Sequence, residues 1–253
     1  MNNILLLYKE SGETPLQCLE RFKLAYPEYQ SMPLTYAGRL DRMAEGLLLV
    51  LSGEEVYNKQ SYLDLPKTYQ FDVLWGFETD TYDALGLVQS TSDKPPTSQE
   101  IETVLSKYVG KRQQVYPLYS SKTVEGKPLF VWARSGDADS IEIPRREIEI
   151  FSLMHVGSGE VAGSTLADKI QSSLEKVKGD FRQEEIKEGW QKVTDRGKKY
   201  HISSFEMTCS SGTYVRSLAH DLGVYFGSGA IALHIKRLKI GPYSIADLDV
   251  DKG

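Results

Sequence analysis

The chain has 253 residues, of which 40% are hydrophobic and 26% charged. This balance is ordinary for a globular protein with a sizeable core, and no repeats or low-complexity tracts interrupt it. The length allows two ordinary domains or one large mixed domain. The formal net charge of −5 counts against a nucleic-acid partner but does not exclude one, because binding depends on the local field and not on the sum of charges.

Cysteine and histidine usage gives no sign of a metal site or a disulfide framework. Cys18 and Cys209 lie far apart in the sequence, and the four histidines show no ligand spacing. We therefore expect no metal. The apolar run at residues 4–7 is too short for a signal peptide or a membrane span. The sequence thus favours a protein of the reducing cytoplasm without membrane contact.

The first part of the chain predicts a strand followed by a helix. Residues 4–8 have strand character. Thr14 and Gln17 have the spacing of a capping box, with proline between them at the first helical position. Pro27 then ends the helix.

Residues 34–53 place charged groups at the entrance to a buried strand. The apolar run 47–51 is short and bracketed by glycines, which favours a strand buried on both faces. Arg39, Asp41 and Arg42 come just before it. We expect the two arginines to hold the Asp41 carboxylate in its charged form, as a nucleophile or base requires. The alternative is a simple turn that Asp41 caps, with both arginines solvated.

The middle of the chain predicts a strand and a helix. Residues 67–76 alternate between an apolar face, which begins with Tyr69, and a polar face. A loop rich in acids and turn formers follows. Thr97 and Glu100 then form a second capping box ahead of an apolar stripe.

Residues 115–134 mix aromatic rings with the cations Lys122, Lys127 and Arg134. Such interleaving suits stacking on bases with charges on the phosphate backbone. A tyrosine-rich hairpin packed on the core is the alternative.

The last part of the chain predicts two strands around an insertion and a final helix. Residues 148–156 and 200–209 have strand character, whereas residues 164–199 are amphipathic at helical spacing. After the second strand, Tyr214 and Arg216 fall in the first turn of a helix. An arginine there adds a bidentate partner for a carboxylate or phosphate.

Five motifs stand in an order that resembles one known family. They are GRLD with GLLLVLSGE, then KTYQFDVLWGFETDTYDALG, then YPLYSSKTVEGKPLFVWAR, then CSSGTYVRSLAHDLG and finally GAIALHIKRL. Each motif alone is weak, but the collinear series resembles the TruB type of tRNA pseudouridine-55 synthase. The segment 164–199 is the main interruption.

The resemblance implies an α/β (α+β) fold, a pseudouridine synthase core with a long mixed, mostly antiparallel sheet, flanking helices and an active-site cleft. It implies one catalytic domain over residues 1–250, with a helical insertion at about 157–199 and no carboxyl-terminal PUA-like domain. The implied reaction is isomerisation of uridine to pseudouridine in RNA. The implied partner is the tRNA T-arm, with no cofactor and no metal, and we expect a monomer.

On the family pattern, Asp41 is the essential aspartate, as nucleophile or as base. Tyr69 would stack on the everted uracil, and Arg216 would pair with Asp41 and fix its direction. The other positions assigned to substrate or RNA are Tyr214 and Ile235 in the nucleotide pocket, Tyr36 and Arg39 ahead of Asp41, and Lys122, Lys127, Arg134, Lys236 and Arg237 as phosphate contacts.

Three features depart from the family pattern. Arg39 replaces the usual threonine, as in synthases for the large ribosomal subunit. Tyr36 stands where the family commonly has a histidine that wedges into the tRNA loop. The sequence ends soon after Arg237, so we expect a weaker grip on RNA unless the insertion compensates.

Two rival functions therefore stay open. The first is a pseudouridine synthase for another RNA site, which Tyr36 and Arg39 suggest. The second is an RNA-binding or tRNA-folding protein without turnover, against which the presence of Asp41, Tyr69 and Arg216 argues.

Overall fold

A computed structural model of the protein describes residues 3–179 and 181–248. Its strands are β1 (Ile4–Lys9), β2 (Leu34–Tyr36), β3 (Glu45–Ser52), β4 (Lys67–Trp75), β5 (Phe77–Thr79), β6 (Val88–Thr91), β7 (Gly110–Val115), β8 (Thr123–Val124), β9 (Lys127–Pro128), β10 (Arg145–Ala162), β11 (Lys199–Cys209), β12 (Ala230–Ile240) and β13 (Tyr243–Ser244). Its α-helices are α1 (Pro15–Ala25), α2 (Lys59–Leu63), α3 (Ser98–Leu105), α4 (Leu129–Ser135), α5 (Gly163–Lys176), α6 (Gln183–Val193) and α7 (Val215–Phe226).

One large sheet organises the described part of the chain. Its strands run in the order β1-β3-β12-β4-β11-β10-β7, with β2 paired to β3 and β13 paired to β12. The pairs are antiparallel except β3 with β12, which is parallel. The prediction of an α/β fold with a long, mixed and mostly antiparallel sheet is therefore confirmed.

The capping boxes and the apolar run form the helices and the strand that they predict. Both capping boxes form, at the start of α1 and of α3, and α1 ends at Ala25, ahead of Pro27. The apolar run becomes β3, which is buried from Gly46 onward. It lies between β1 and β12 and is covered on both faces, which explains why its sequence does not alternate.

The insertion joins the main core instead of standing apart from it. Helices α5 and α6 bury Leu166, Ile170 and Trp190 in the same cluster as the central strands. The Trp190 indole N–H donates to the Ala84 carbonyl at 3.1 Å, and its ring packs on Phe77. The expected helical insertion began at about residue 157, but residues 157–162 belong to β10. Their pairing with β11 continues as far as Ala162, which lies opposite Lys199.

The segment 115–134 does not form one aromatic hairpin. It contains the short strands β8 and β9 and then helix α4. The Tyr116 ring meets Tyr214 edge to face, with centroids 5.7 Å apart. The segment therefore lies against the start of α7.

None of the helices in residues 3–179 and 181–248 is long and apolar enough to cross a membrane. The same residues contain no group of three or more His, Cys, Asp and Glu side chains placed to hold a metal ion.

Replacement of Gly46 by alanine tests how closely β3 and β12 approach. Gly46 has φ +107°, and a methyl group there would overlap the backbone of Arg237. Gly126 is the matched control, since its φ is +79° and its surroundings are open. We expect Gly126→Ala to lower the free energy of unfolding by about 1 kcal/mol, the cost of a left-handed side chain. Gly46→Ala should lower it at least twice as much.

Urea denaturation of the two variants and the wild type measures both effects. Equal losses for Gly46→Ala and Gly126→Ala would contradict the close packing of β3 against β12.

Candidate active site

Arg216 contacts three segments that are distant from it in sequence. Its guanidinium lies in the first turn of α7, with only 3% of the side chain exposed. Nε donates to Asp41 Oδ2 at 2.7 Å, and Nη1 donates to the Thr81 carbonyl at 2.6 Å. Nη2 faces the Tyr119 carbonyl at 3.4 Å, and Asp83 Oδ2 is 3.5 Å from Nε. The structure thus brings Arg216 and Asp41 together.

Asp83 is a buried carboxylate that the sequence reasoning missed. It accepts hydrogen bonds from Thr81 Oγ1 at 2.6 Å and from the Leu85 N–H at 2.9 Å. Burial raises the pKa of Asp83 to about 6, although the Arg216 charge opposes the shift. Burial alone would lower the pKa of Arg216, but Asp41 and Asp83 outweigh it and raise that pKa. The guanidinium therefore remains charged between two acids.

A strained turn aims these groups at Arg216. Tyr82 has φ +63°, an uncommon conformation for a bulky residue. Its ring stacks on His220, with centroids 3.9 Å apart and planes 11° apart. Its carbonyl accepts from the Ala232 N–H at 3.0 Å. This reversal turns the Thr81 carbonyl and the neighbouring Asp83 carboxylate towards the same guanidinium.

Asp41 opens into a cleft of about 780 Å³. Its side chain is 42% exposed, so one acid faces the cleft while Asp83 stays buried. Tyr69, Tyr214 and Ile235 line the same cleft. Tyr69 is 8% exposed, and burial raises its pKa, which keeps the phenol protonated.

Arg237 does not occupy the phosphate-contact position that the resemblance implied. It is 1% exposed, and its guanidinium donates to the carbonyls of Leu47, Arg39 and Gly38 at 2.8, 3.1 and 3.3 Å. Buried guanidinium donors are satisfied within the protein. Arg237 therefore supports the backbone that leads to Asp41.

Lys236 also departs from its expected place. In the pairing of β12 with β4, Arg237 lies opposite Tyr69 and Lys236 lies opposite the exposed Gln70. Because side chains alternate along a strand, Lys236 points to the other face of the sheet. There its Nζ is 4.0 Å from Glu45 Oε1.

The expectation that Arg39 and Arg42 hold Asp41 is wrong. Arg39 is exposed, and its carbonyl accepts from Arg237. Arg42 Nη1 donates to the Lys178 carbonyl at 2.8 Å. The partner of Asp41 comes instead from a helix 175 residues further along the chain.

The remaining predicted contacts divide between the cleft and the outer surface. Tyr36, Arg39 and Arg134 line the cleft. Lys122 Nζ lies 5.5 Å from the centre of the Tyr116 ring, and Lys127 Nζ lies 4.6 Å from that of Trp132. These two lysines are exposed and outside the cleft lining.

The cleft is basic although the chain is acidic overall. Among the described residues that line it, Asp41 is the one carboxylate, and the cations are Arg39, Arg42, Lys67, Arg134, Arg146 and Arg237. The sequence reasoning missed Arg146 and Lys67 as lining residues. Lys67 begins the strand that carries Tyr69. Its position two residues before Tyr69 could have indicated that it lies near the cleft.

The fold of this chain is shared by solved structures. A crystal structure of a Cbf5-Nop10-Gar1 complex has the same fold, with a TM-score of 0.59 and 16% identity over 95% of this chain and 49% of that one. A structure of an H/ACA RNP bound to a substrate RNA containing 2'-deoxyuridine gives a TM-score of 0.56 at 15% identity, over 95% and 48%. At such identity the likeness concerns the fold alone.

The family model described as TruB family pseudouridylate synthase (N terminal domain) matches residues 29–172. The chain therefore belongs to the TruB family.

Relatives of this chain carry the name tRNA pseudouridine synthase B. The Bartonella bacilliformis protein is 34% identical over 213 residues, which are 84% of this chain and 54% of that protein. The Oceanobacillus iheyensis protein is 29% identical over 246 residues, or 96% and 67%. The chain spans about half the length of the first of these relatives.

Replacement of Asp83 by asparagine tests the buried half of the site. Because its pKa is about 6, Asp83 gains a proton as the pH falls through 6 and no longer balances Arg216. We therefore expect the single-turnover rate of the wild type to decline as the pH falls below 6. Asp83→Asn should be slower at neutral pH, on the order of tenfold or more through misplacement of Arg216, and should lack this decline.

Asp72→Asn is the control, since Asp72 lies on β4, outside the cleft lining, and accepts from Ser204 on β11. A decline in the rate of Asp83→Asn below pH 6 equal to that of the wild type would contradict this role.

The free energy of unfolding, measured by urea denaturation at several pH values, should follow the opposite trend. Since the folded pKa of Asp83 is raised, its contribution to stability is present below about pH 4 and is lost as the pH rises through 6.

Proposed function

We propose that this protein isomerises uridine to pseudouridine in RNA, with U55 in the T-arm of tRNA as its target. The observation that carries the proposal is the Asp41 carboxylate, which lines a basic cleft and is held by the buried Arg216. The names of the relatives and membership of the TruB family support it. The resemblance of the motifs supports position 55.

The reaction needs no co-reactant. The bond between C1′ of the ribose and N1 of uracil breaks, and a bond between C1′ and C5 forms. The hydrogen lost from C5 is replaced by one on N1, so atoms and electrons balance. The protein must therefore receive an everted base, hold it while it turns, and place a carboxylate at the sugar.

Asp41 is the group that acts at the ribose. Its 42% exposure makes it accessible to substrate, and the 2.7 Å hydrogen bond from Arg216 fixes one of its oxygens. Because Arg216 is anchored also by the Thr81 carbonyl, Asp41 is oriented before RNA binds. Such preorganisation lowers the barrier without rearrangement during the reaction.

Tyr69 and Ile235 receive the uracil ring. Both line the cleft, and the Tyr69 phenol is fixed at the start of the inward face of β4. A base that has left its stack gains about 1–3 kcal/mol from an aromatic surface. Tyr214, the cap residue of α7, closes the same pocket.

The cleft carries the positive field that RNA requires. Its arginines and lysine outnumber its one described carboxylate, although the chain has a net charge of −5. The field of a cleft depends on the charges that face it. The acidic total is therefore compatible with an RNA substrate.

Direct detection of product tests the proposal. Purified protein is mixed in excess with a tRNA transcript, with its T-arm stem-loop and with an rRNA fragment, and pseudouridine is mapped by chemical modification and primer extension. We expect product at position 55 in the first two RNAs. Asp41→Asn should reduce the rate at least about a hundredfold, as for loss of a nucleophile or base, with RNA affinity retained.

Each of the other outcomes favours one of the rival functions. Product at another uridine would reject position 55 but keep the chemistry. Tight binding without product, and no difference between wild type and Asp41→Asn, would favour an RNA-binding or tRNA-folding protein.

A further inference from the structure

Arg42 is a charged residue of the cleft that the proposed chemistry does not use. It follows Asp41 directly and is half-buried at the cleft wall. Among the described residues it has no carboxylate partner, and the charged group that affects it most is Arg134, a second cation. Partial burial and then this like charge lower the pKa of Arg42. The local field at this guanidinium is therefore positive, and it attracts an anion.

The helical insertion holds this guanidinium in place. Arg42 Nη1 donates to the Lys178 carbonyl at 2.8 Å, and its Cζ lies 5.3 Å from the centre of the Phe181 ring. Both partners belong to the connection between α5 and α6. The side chain is thus clamped from one side by a carbonyl and an aromatic face.

The backbone of Arg42 is fixed by the same junction. Its carbonyl accepts from the Gly12 N–H at 2.7 Å. Gly12 in turn approaches the last residue of α5 so closely that a methyl group would overlap Lys176. The insertion, the loop after β1 and the Asp41 segment therefore meet at one point.

The insertion is also tied to the turn beside Arg216. Arg182 Nη1 pairs with Asp80 Oδ2 at 2.7 Å, and its Cζ lies 4.6 Å from the centre of the Tyr119 ring. Asp80 directly precedes Thr81, whose carbonyl binds Arg216. Arg182, the residue before α6, is therefore joined to the turn that carries the Thr81 carbonyl.

We propose that Arg42, held in the cleft wall by the insertion, binds a backbone phosphate of the RNA strand next to the everted nucleotide. The position fits this role because Arg42 adjoins Asp41, and the nucleotide at Asp41 continues into phosphates on both sides. A guanidinium with one nitrogen already anchored keeps further donors in a fixed fork for phosphate oxygens. The inference rests on the proposed RNA substrate and adds the insertion to its binding site.

Salt dependence of RNA binding tests the phosphate contact. Fluorescence anisotropy gives the dissociation constant of a labelled T-arm stem-loop and of full tRNA over a range of KCl concentrations. We expect Arg42→Gln to weaken binding about tenfold at moderate salt and to reduce the slope of log affinity against log salt by about one. Arg42→Lys should restore most of the slope, because it keeps the charge.

Two further variants separate the contact from folding. Arg196 is an exposed arginine of the insertion that pairs with Asp168, so Arg196→Gln should leave both affinity and slope unchanged. Phe181→Ala removes the aromatic face but keeps the Arg42 charge. It should weaken binding less than Arg42→Gln does and leave the slope close to that of the wild type.

The outcomes distinguish this inference from the proposed function. If the slope of log affinity against log salt is the same for Arg42→Gln and the wild type, the inference is overturned, even if the wild type forms pseudouridine. A reduced slope with no product from the wild type would support the phosphate contact and reject the enzymatic function. Absence of salt-dependent RNA binding by the wild type would overturn both.

Discussion

A charged guanidinium buried in the protein needs compensating groups, and the architecture around Arg216 follows from that need. The side chain is 3% exposed, where an unpaired charge would be very costly. Asp41, Asp83 and the Thr81 carbonyl supply the compensation. Of these groups, Asp41 alone lines the cleft. The structure therefore presents one oriented acid to a substrate and keeps the second acid as its buried support.

This arrangement carries a cost in stability. Burial raises the pKa of Asp83 to about 6, so the ionised carboxylate that the fold holds at neutral pH costs more free energy there than in the unfolded chain. Tyr82 adds backbone strain at φ +63° in the same turn. Strain and perturbed ionisation gather where a fold serves a site. The stack of Tyr82 on His220 and the Ala232 hydrogen bond keep the turn in place.

The insertion gives the cleft a wall that the five motifs do not describe. Its helices bury Leu166, Ile170 and Trp190 in the central core. Between these helices, Lys178 and Phe181 contact Arg42. The cations that line the cleft, among them Arg42 and Arg134, come from other segments and explain how an acidic chain presents a basic cleft. The distribution of charge, and not its total, matches the proposed RNA partner.

Local patterns in the sequence were sufficient for the elements and for part of the site. Capping boxes, alternation and glycine boundaries act between residues a few positions apart, so the starts of α1 and α3 and the buried β3 could be predicted. The pairing of Asp41 with Arg216 was accessible only through the order of motifs. Nothing local to either residue indicates it.

The sequence by itself determined the first strand, the buried β3 and the capped starts of α1 and α3, and that an aspartate follows GRL ahead of a core strand. Only the tertiary structure decided which arginine serves that aspartate. Arg39 and Arg42 are its neighbours along the chain, but the backbone directs them elsewhere, and α7 brings Arg216 to it across the sheet. Arg237 is buried for the same reason, because strand pairing assigns each side chain to a face regardless of its charge.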